Sequence, residues 1–403
     1  MVSFDSIESA LADIKAGKMI IVVDDESREN EGDFIMAAEH ITAESINFMA
    51  CEGRGLICVP ITEERAEELE LDLMIKSNKS LHQTAFTVSV DFVGSGTGIS
   101  AEDRAKTIKS IVNQDTKPEE LLRPGHIFPL ISKSGGVLVR DGHTEAAVDL
   151  SRLAGLNPSG VICEISNPDG SMARQDELFK VAKKFDLKII TIKDLIQYRR
   201  TTELFIEKQT SIPFPCEKGD FELFSFKSQL NNEHHLAFVK GDLKDSIDEP
   251  LLVRVHSECF TGDIFGSKRC DCGDQLNKSM EVIEEKGKGL IIYLRQEGRG
   301  IGLENKIKAY ELQDKGFDTI SANHQLGFDE DLREYSFAAQ VLKFFNIEKI
   351  NLLTNNPLKV NGLKESGIDV VTKTPLEIFP NENNLKYLEA KRDKMGHQIL
   401  NHF

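Results

Sequence analysis

The stretch Arg254–Gln275 reads RVHSECFTGDIFGSKRCDCGDQ, and its three cysteines, Cys259, Cys270 and Cys272, stand in a C-x10-C-x-C arrangement. Thiolate is a preferred zinc ligand, and a trio of protein ligands leaves the fourth tetrahedral position open. Zinc at such an open site brings the pKa of its water to about 7. A small zinc ribbon that only staples a loop, with His256 completing the shell, is the other reading of this spacing. No fourth cysteine lies nearby, and Arg254, His256, Glu258, Lys268, Arg269 and Gln275 offer the polar surroundings a charged substrate needs.

The flanks of this stretch read as alternating strands and helices. Leu251–Val255 is apolar enough for a strand, Asp274–Glu285 has helical periodicity, and Gly289–Leu294 (GLIIYL) is a second buried strand. The segment RQEGRGIG, Arg295–Gly302, follows that strand. Glycines with two arginines after a strand suit a polyphosphate cradle, although a tight turn has the same composition. Ile350–Lys359 (INLLTNNPLK) reads as a strand and then a polar turn, with Thr354 and Lys359 placed for an anion.

The first half has the same grammar. Phe4, Ile7, Leu11 and Ile14 recur at helical spacing, with Gly17 as a stop. Met19–Val23 (MIIVV) is a short buried strand that runs into DDESRENEGD, Asp24–Asp33. Carboxylates crowded at a strand end repel one another unless a cation joins them, and oxygen ligands suit Mg²⁺ or Mn²⁺. A solvated acidic loop is the plainer reading. Val137–Val139 reads as a strand, Arg140–Thr144 as a glycine-containing loop and Glu145–Leu153 as a helix, so Arg140, Thr144 and the helix start suit a phosphate. His143 could ligate a metal; for His143 and His126 alike the commoner fate is a structural histidine. Val161–Ile165 (VICEI) reads as a buried strand with Glu164 inside it, a costly place for a carboxylate without a task. Val181–Thr191 and the DLIQY after it read as a last helix–strand–helix passage.

Arg199 to about Ser228 shows no clean period and contains Pro213 and Pro215. The domain boundary is therefore placed here, giving domains 1–202 and 203–403. The fold class is α/β (α+β), each domain a mixed sheet packed with helices. A chain of 403 residues has room for two cores. Its net charge of −17 argues against broad nucleic-acid binding. No apolar run approaches the ~20 residues of a membrane helix, and the start lacks the basic, small-residue pattern of a signal peptide. Seven cysteines, an odd number, then suggest a reducing, cytoplasmic setting. Cys51, Cys58, Cys163 and Cys216 have no ligand spacing and read as small buried hydrophobes.

Two resemblances join these pieces. DDESRENEGD, RPGHIFPL (Arg123–Leu130), GGVLVRDGHTEA (Gly135–Ala146) and the CEI strand, in this order, resemble 3,4-dihydroxy-2-butanone 4-phosphate synthase across residues 1–200. The resemblance implies conversion of ribulose 5-phosphate to the butanone phosphate and formate, with Glu29 and His143 as Mg²⁺ or Mn²⁺ ligands. It implies that Arg28, Glu29, Asp33, Arg140, Asp141, Gly142, His143, Thr144 and Glu164 hold the sugar phosphate, and that His126 and Glu164 are the acid–base groups. The segment Thr97–Arg104 is expected to line the same pocket.

The RVHSEC and RCDCGDQ segments, with the strands and turns after them to about residue 375, resemble GTP cyclohydrolase II. That resemblance implies Zn²⁺ on Cys259, Cys270 and Cys272, and Mg²⁺ accompanying GTP. It implies GTP contacts from Arg254, Val255, His256, Ser257, Glu258 and Gln275, then from Glu297, Gly298, Arg299, Thr319, Thr354 and Lys359. Asp331 is implied as proton acceptor and Arg333 as the residue acting at the α-phosphate. Guanidinium is a poor nucleophile, so charge stabilisation of departing pyrophosphate is the milder role for Arg333. Together the resemblances imply a bifunctional riboflavin-pathway enzyme, expected as a homodimer. The alternative is one active half beside a silent scaffold. The tail after about Pro375 carries no assigned chemistry.

Overall fold

Ile20–Val23 (β1) is four branched apolar residues, all buried. Alternate side chains of a strand leave opposite faces. Here Ile21 and Val23 enter one core while Ile20 and Val22 enter another. A strand buried on both sides needs helices on both sides. Helices Ala101–Val112 and Gln175–Phe185 give Ile108, Ile111 and Leu178 to the first core; helices Ile7–Lys15 and His143–Leu153 give Ile14, Ala146 and Leu150 to the second.

The remaining strands of this layer are β2 (Gly32–Ala37), β3 (Cys58–Ile61), β4 (Val90–Phe92), β5 (Leu121–Ile131), β6 (Gly160–Glu164) and β7 (Ile189–Thr191), in the order β4-β5-β3-β6-β2-β1-β7. The sheet is mixed, with β1 parallel to β7 and antiparallel to β2. Register sets Val22 beside Asp33 and Asp33 beside Glu164, so three adjacent strands bring these positions level.

The computed structural model describes residues 3–243, 249–329, 331, 333–396 and 399. The chain divides into two compact units, Met1–Arg199 and Arg200–Phe403. In the second, β8 (Ile206–Cys216), β9 (Gly219–Ser228), β10 (His234–Lys240), β11 (Leu251–Ser257), β12 (Gly289–Leu294), β13 (Lys349–Leu353) and β14 (Asp369–Thr374) form a sheet ordered β14-β13-β11-β12-β10-β9-β8. One face packs Phe226, Val253 and Ile292 against helix Ser336–Phe344. The other packs Ile291 and Leu353 against Met280 and Ile283 of helix Cys272–Lys286. Strands β13, β11 and β12 are parallel neighbours. Their C-terminal ends therefore share one edge, and the loops leaving them converge there, the usual ligand side of such a sheet. No helix among the described residues is long and apolar enough to cross a membrane.

Three expectations are corrected. Gly136–Leu138 is a 3₁₀ turn and Val137–Val139 forms no strand. Gly135 and Gly136 take φ of 92° and 62°, and the Val137 N–H donates to Asp149 at 2.8 Å. The aperiodic stretch after Arg199 is the β8–β9 hairpin. Pro213 and Pro215 are tolerated because β8 is an edge strand, where a missing N–H costs no ladder bond. Cys51 is exposed and Cys216 half-buried, so only Cys58 and Cys163 behave as buried small hydrophobes.

Candidate functional site

In the first unit the turn after β1 gathers Asp24, Glu29 and His143, whose ligand atoms lie within 4.8 Å of one another. Asp24 is pinned from three sides. Its carboxylate accepts from the Glu31 N–H at 2.8 Å and the Glu29 N–H at 3.2 Å, and Arg28 Nη1 donates to it at 2.8 Å. The same Arg28 nitrogen donates to Glu29 at 2.8 Å. His143 opens helix His143–Leu153 and is buried. Its Nε2 lies 3.1 Å from the Val22 carbonyl, which can only accept, so Nε2 carries the proton and Nδ1 the lone pair. Nδ1 faces Glu29 at 3.9 Å and Asp33 at 3.7 Å. That is the tautomer a metal-binding histidine needs. Burial pulls the imidazole pKa down, against the pull of Asp24 and Glu29.

Asp33, like Asp24, is a deeply buried carboxyl, 2% exposed, with Oδ1 lacking a hydrogen-bond partner. Burial, then Glu164 and Glu29, push it well above the usual carboxylate range. Glu164 closes β6 and is half-buried, accepting from the Leu56 N–H at 2.7 Å. Glu164 stands half-exposed at the end of its strand. Around the start of helix His143–Leu153, Arg140 donates to Glu145 at 2.5 Å and to Thr84 Oγ1 at 3.0 Å. A Cβ on Gly142 would lie 2.4 Å from Arg140 Nη1 and 3.0 Å from Arg28 Nη2, so the backbone hugs two guanidinium groups there. Asp141 is exposed and 3.7 Å from Arg28 Nε, while Thr144 is buried in the first helical turn. His126 pairs with Asp91 at 2.7 Å rather than with these carboxylates, and Gly98 of the Thr97–Arg104 segment packs against that pair.

In the second unit, Cys259 follows β11 while Cys270 and Cys272 lead into the helix packed on the sheet. Their thiols form a cluster within 4.8 Å, with Cys259 and Cys270 sulfurs 3.6 Å apart. Tetrahedral zinc with bonds of about 2.3 Å sets its sulfurs about 3.8 Å apart, so the spacing fits. Hydrogen bonds from Cys270 and Cys272 hold the Cys259 thiol far below its ordinary range, with Lys306 Nζ adding charge at 3.1 Å. Cys270 is pushed up to about 11 by the same contact. A divalent cation relieves such crowding. His256 does not close the shell. Its Nε2 lies 3.1 Å from Asp263, which also takes the Tyr293 hydroxyl at 2.8 Å and the Cys259 N–H at 2.9 Å. Among the described residues the cluster is three sulfurs with no fourth ligand, which favours the open site over the staple.

The cluster lines a cavity that opens to solvent. His256, Ser257 and Glu258 line it from the end of β11, Gly298 and Arg299 from the turn after β12, and Thr354 and Lys359 from beyond β13. Gly298 and Arg299 both take φ of 62°, a consecutive left-handed turn, and the Gly298 N–H donates to Glu297 at 2.6 Å. Arg254 donates to the Leu353 carbonyl at 2.9 Å and to Gln275 at 2.6 Å; burial pushes its pKa down to about 10. Lys359 donates to the Val255 carbonyl at 2.7 Å, and burial beside Arg254 and Arg333 drives it well below the usual lysine range. Glu297 is committed to Lys306 at 2.8 Å, and Asp331 to Arg333 at 2.5 Å. For Asp331, burial is outweighed by Arg333, and its pKa falls.

Residues 8–198 match the family described as 3,4-dihydroxy-2-butanone 4-phosphate synthase, and residues 207–375 match GTP cyclohydrolase II. The riboflavin biosynthesis protein RibBA of Cytophaga hutchinsonii is 58% identical over 401 residues, covering 99% of this chain and 98% of its own. The chain belongs to the RibBA family. RibBA of Bacillus cereus is 55% identical over 396 residues, covering 98% of this chain and 99% of its own. A crystal structure of RibBX, a two-domain 3,4-dihydroxy-2-butanone 4-phosphate synthase from A. baumannii, superposes with a TM-score of 0.65 at 38% identity, covering 92% of this chain and 99% of that one. Like the RibBA proteins, this chain is a bifunctional enzyme of riboflavin biosynthesis, a lyase domain and a hydrolase domain in one polypeptide.

Most of the residues singled out in the sequence gather in two groups. The synthase group holds Arg28, Glu29, Asp33, Gly142 and His143; the cyclohydrolase cavity holds the cysteines and most of the expected GTP contacts. Thr319 opens helix Thr319–Gln325, and its side chain lies outside the described residues. Sequence reasoning missed Asp24, Asp263, Lys306 and Gly262. Asp24 sat inside the quoted acidic run; it turns inward because the Glu29 and Glu31 N–H groups and Arg28 hold it, contacts that composition does not reveal. Gly262 gave a faint signal, a glycine between the ligands. A Cβ there would lie 3.0 Å from both the Cys259 and Cys270 sulfurs.

Proposed function

We propose that residues 1–202 convert D-ribulose 5-phosphate to 3,4-dihydroxy-2-butanone 4-phosphate and formate. Residues 203–403 convert GTP to 2,5-diamino-6-ribosylamino-4(3H)-pyrimidinone 5′-phosphate, formate and pyrophosphate. The observation that carries this reading is the pair of metal-ligand clusters, one of oxygen and nitrogen, one of sulfur, each within its own compact unit. The acidic balance of the chain disfavours a nucleic-acid partner.

Glu29 and His143, with Asp24 alongside, fit Mg²⁺ or Mn²⁺. When bound there, such an ion would supply stabilisation for negative charge on neighbouring sugar oxygens. Arg140 and the N–H groups at the start of helix His143–Leu153 orient the phosphate. Glu164, reachable at its strand end, moves the proton next to the sugar carbonyl, and the His126–Asp91 pair serves as a second acid–base group.

Cys259, Cys270 and Cys272 fit Zn²⁺, which supplies Lewis acidity at the guanine ring when bound. Arg254, Arg299 and Lys359 hold the triphosphate with its Mg²⁺. Asp331 accepts a proton, and Arg333 stabilises the departing pyrophosphate. The working unit is a homodimer in the cytoplasm, which sedimentation of the purified chain checks for its stoichiometry.

Two variants test the assignment of halves. Glu164→Ala abolishes butanone phosphate formation and leaves GTP turnover intact; Cys270→Ser does the reverse and loses zinc. Unchanged sugar-phosphate turnover in the first, or full GTP turnover without zinc in the second, removes that residue from its mechanism.

A further inference from the structure

The family match to GTP cyclohydrolase II ends at residue 375, yet the chain beyond it returns to the cavity. We propose that the C-terminal helix Leu385–Met395 forms part of the GTP site and that Lys391 is a substrate-binding residue there. The proposal rests on the assignment of GTP to this cavity.

The tail is tied to the cavity wall at two places. Asn355, a lining residue, donates to the Leu376 carbonyl at 2.7 Å and accepts from the Leu376 N–H at 3.1 Å. Farther along, Leu388 is 2% exposed and anchors the helix. Lys391 then reaches in from solvent. It is 9% exposed, lines the cavity beside the cysteines, and its Nζ lies 2.9 Å from Asp271 Oδ1.

Asp271 stands between two of the thiol ligands and is itself 3% exposed. Its other oxygen accepts from Gln275 Nε2 at 2.6 Å, and Gln275 Oε1 accepts from Arg254 at 2.6 Å. Lys391, Asp271, Gln275 and Arg254 thus form one hydrogen-bonded chain that runs along the cavity wall. A buried ammonium is costly unless it is paired. Lys391 pairs with Asp271, and Arg254, Arg299, Lys306, Arg333 and Lys359 line the same cavity with it, against Glu258 and Glu297 among the lining carboxylates. The lining is thus rich in cationic side chains, which fits a polyanion of the triphosphate class. A lysine in this place adds to phosphate binding directly, and through Asp271 it fixes the orientation of Gln275 and Arg254.

The test uses the full chain with Lys391→Ala and Lys391→Arg, measuring kcat and KM for GTP, zinc per chain, and butanone phosphate formation. A lost charge-assisted contact raises KM roughly ten- to hundredfold in Lys391→Ala, with a smaller change in kcat. Lys391→Arg restores most of that loss, and zinc content and sugar-phosphate turnover stay at wild-type levels. An unchanged KM overturns the inference, as does a fall in kcat alone. Loss of zinc in Lys391→Ala also overturns it, because the lysine then supports the metal frame and not the substrate. If the wild-type chain turns over no GTP, the assignment of the cavity itself fails, and this inference with it.

Discussion

Replacing Gly262 with alanine adds one methyl group to the sulfur cluster and little else. Gly262 is not among the residues with left-handed backbone, so alanine carries no backbone penalty there. Its Cβ would meet the sulfurs of Cys259 and Cys270 at 3.0 Å and the Cys272 Cβ at 3.3 Å. Ordinary non-bonded contacts are about 3.5–4.0 Å, so the two sulfurs must retreat by roughly half an ångström. A zinc site tolerates about 0.2 Å. The backbone behind is tight as well: a Cβ on Gly273 would lie 2.4 Å from the Gly262 carbonyl. Overpacking of this kind costs about 1–3 kcal/mol, which weakens zinc binding about 5- to 150-fold. Zinc retained after dialysis against graded chelator reads the loss, and GTP turnover should fall in parallel and recover with added zinc. Butanone phosphate formation in the same preparation should be unchanged. Wild-type zinc affinity and GTP turnover in Gly262→Ala would refute the three-sulfur site as described.

Two further outcomes are expected. His143→Ala removes a ligand whose tautomer the Val22 carbonyl fixes, so the Mg²⁺ concentration needed for half-maximal synthase activity should rise at least tenfold; an unchanged titration contradicts ligation. His235 is 2% exposed and accepts the Arg295 N–H at Nδ1, and burial with Arg295 and His234 pushes its pKa down to about 4. A folded pKa below the unfolded one of about 6.5 means that its contribution to stability is complete above about pH 6.5 and is lost as pH falls toward 4, by up to about 3 kcal/mol. The urea midpoint should drop between pH 7 and pH 5, and drop less in His235→Asn, which keeps an acceptor without the titration; equal drops would show that the proton goes elsewhere.

The chemistry-bearing parts of this fold were legible because their residues are close in sequence and chemically distinctive. The C-x10-C-x-C spacing and the acidic run after β1 name their own elements. What was illegible depends on register and on distant chain. Asp33 and Glu164 meet only because β2 and β6 pair in this register across about 130 residues of sequence, and no local pattern carries that. The β8–β9 hairpin hid behind two prolines that only an edge position permits. Val137–Val139 looks extended until Asp149, on the following helix, captures the turn. Lys391 finds Asp271 across 120 residues of sequence, and a tail without periodicity gives no hint of it.

Two competent halves in one chain is the claim on which the rest depends. The related A. baumannii protein also has two domains and is named for the synthase activity alone, so the second half needs the direct test. Formate released from ribulose 5-phosphate and from GTP, supplied separately to the purified chain with zinc counted, provides it. The account predicts one formate per substrate consumed from each, with one zinc per chain. Formate from the sugar phosphate only, or GTP turnover without bound zinc, would contradict it.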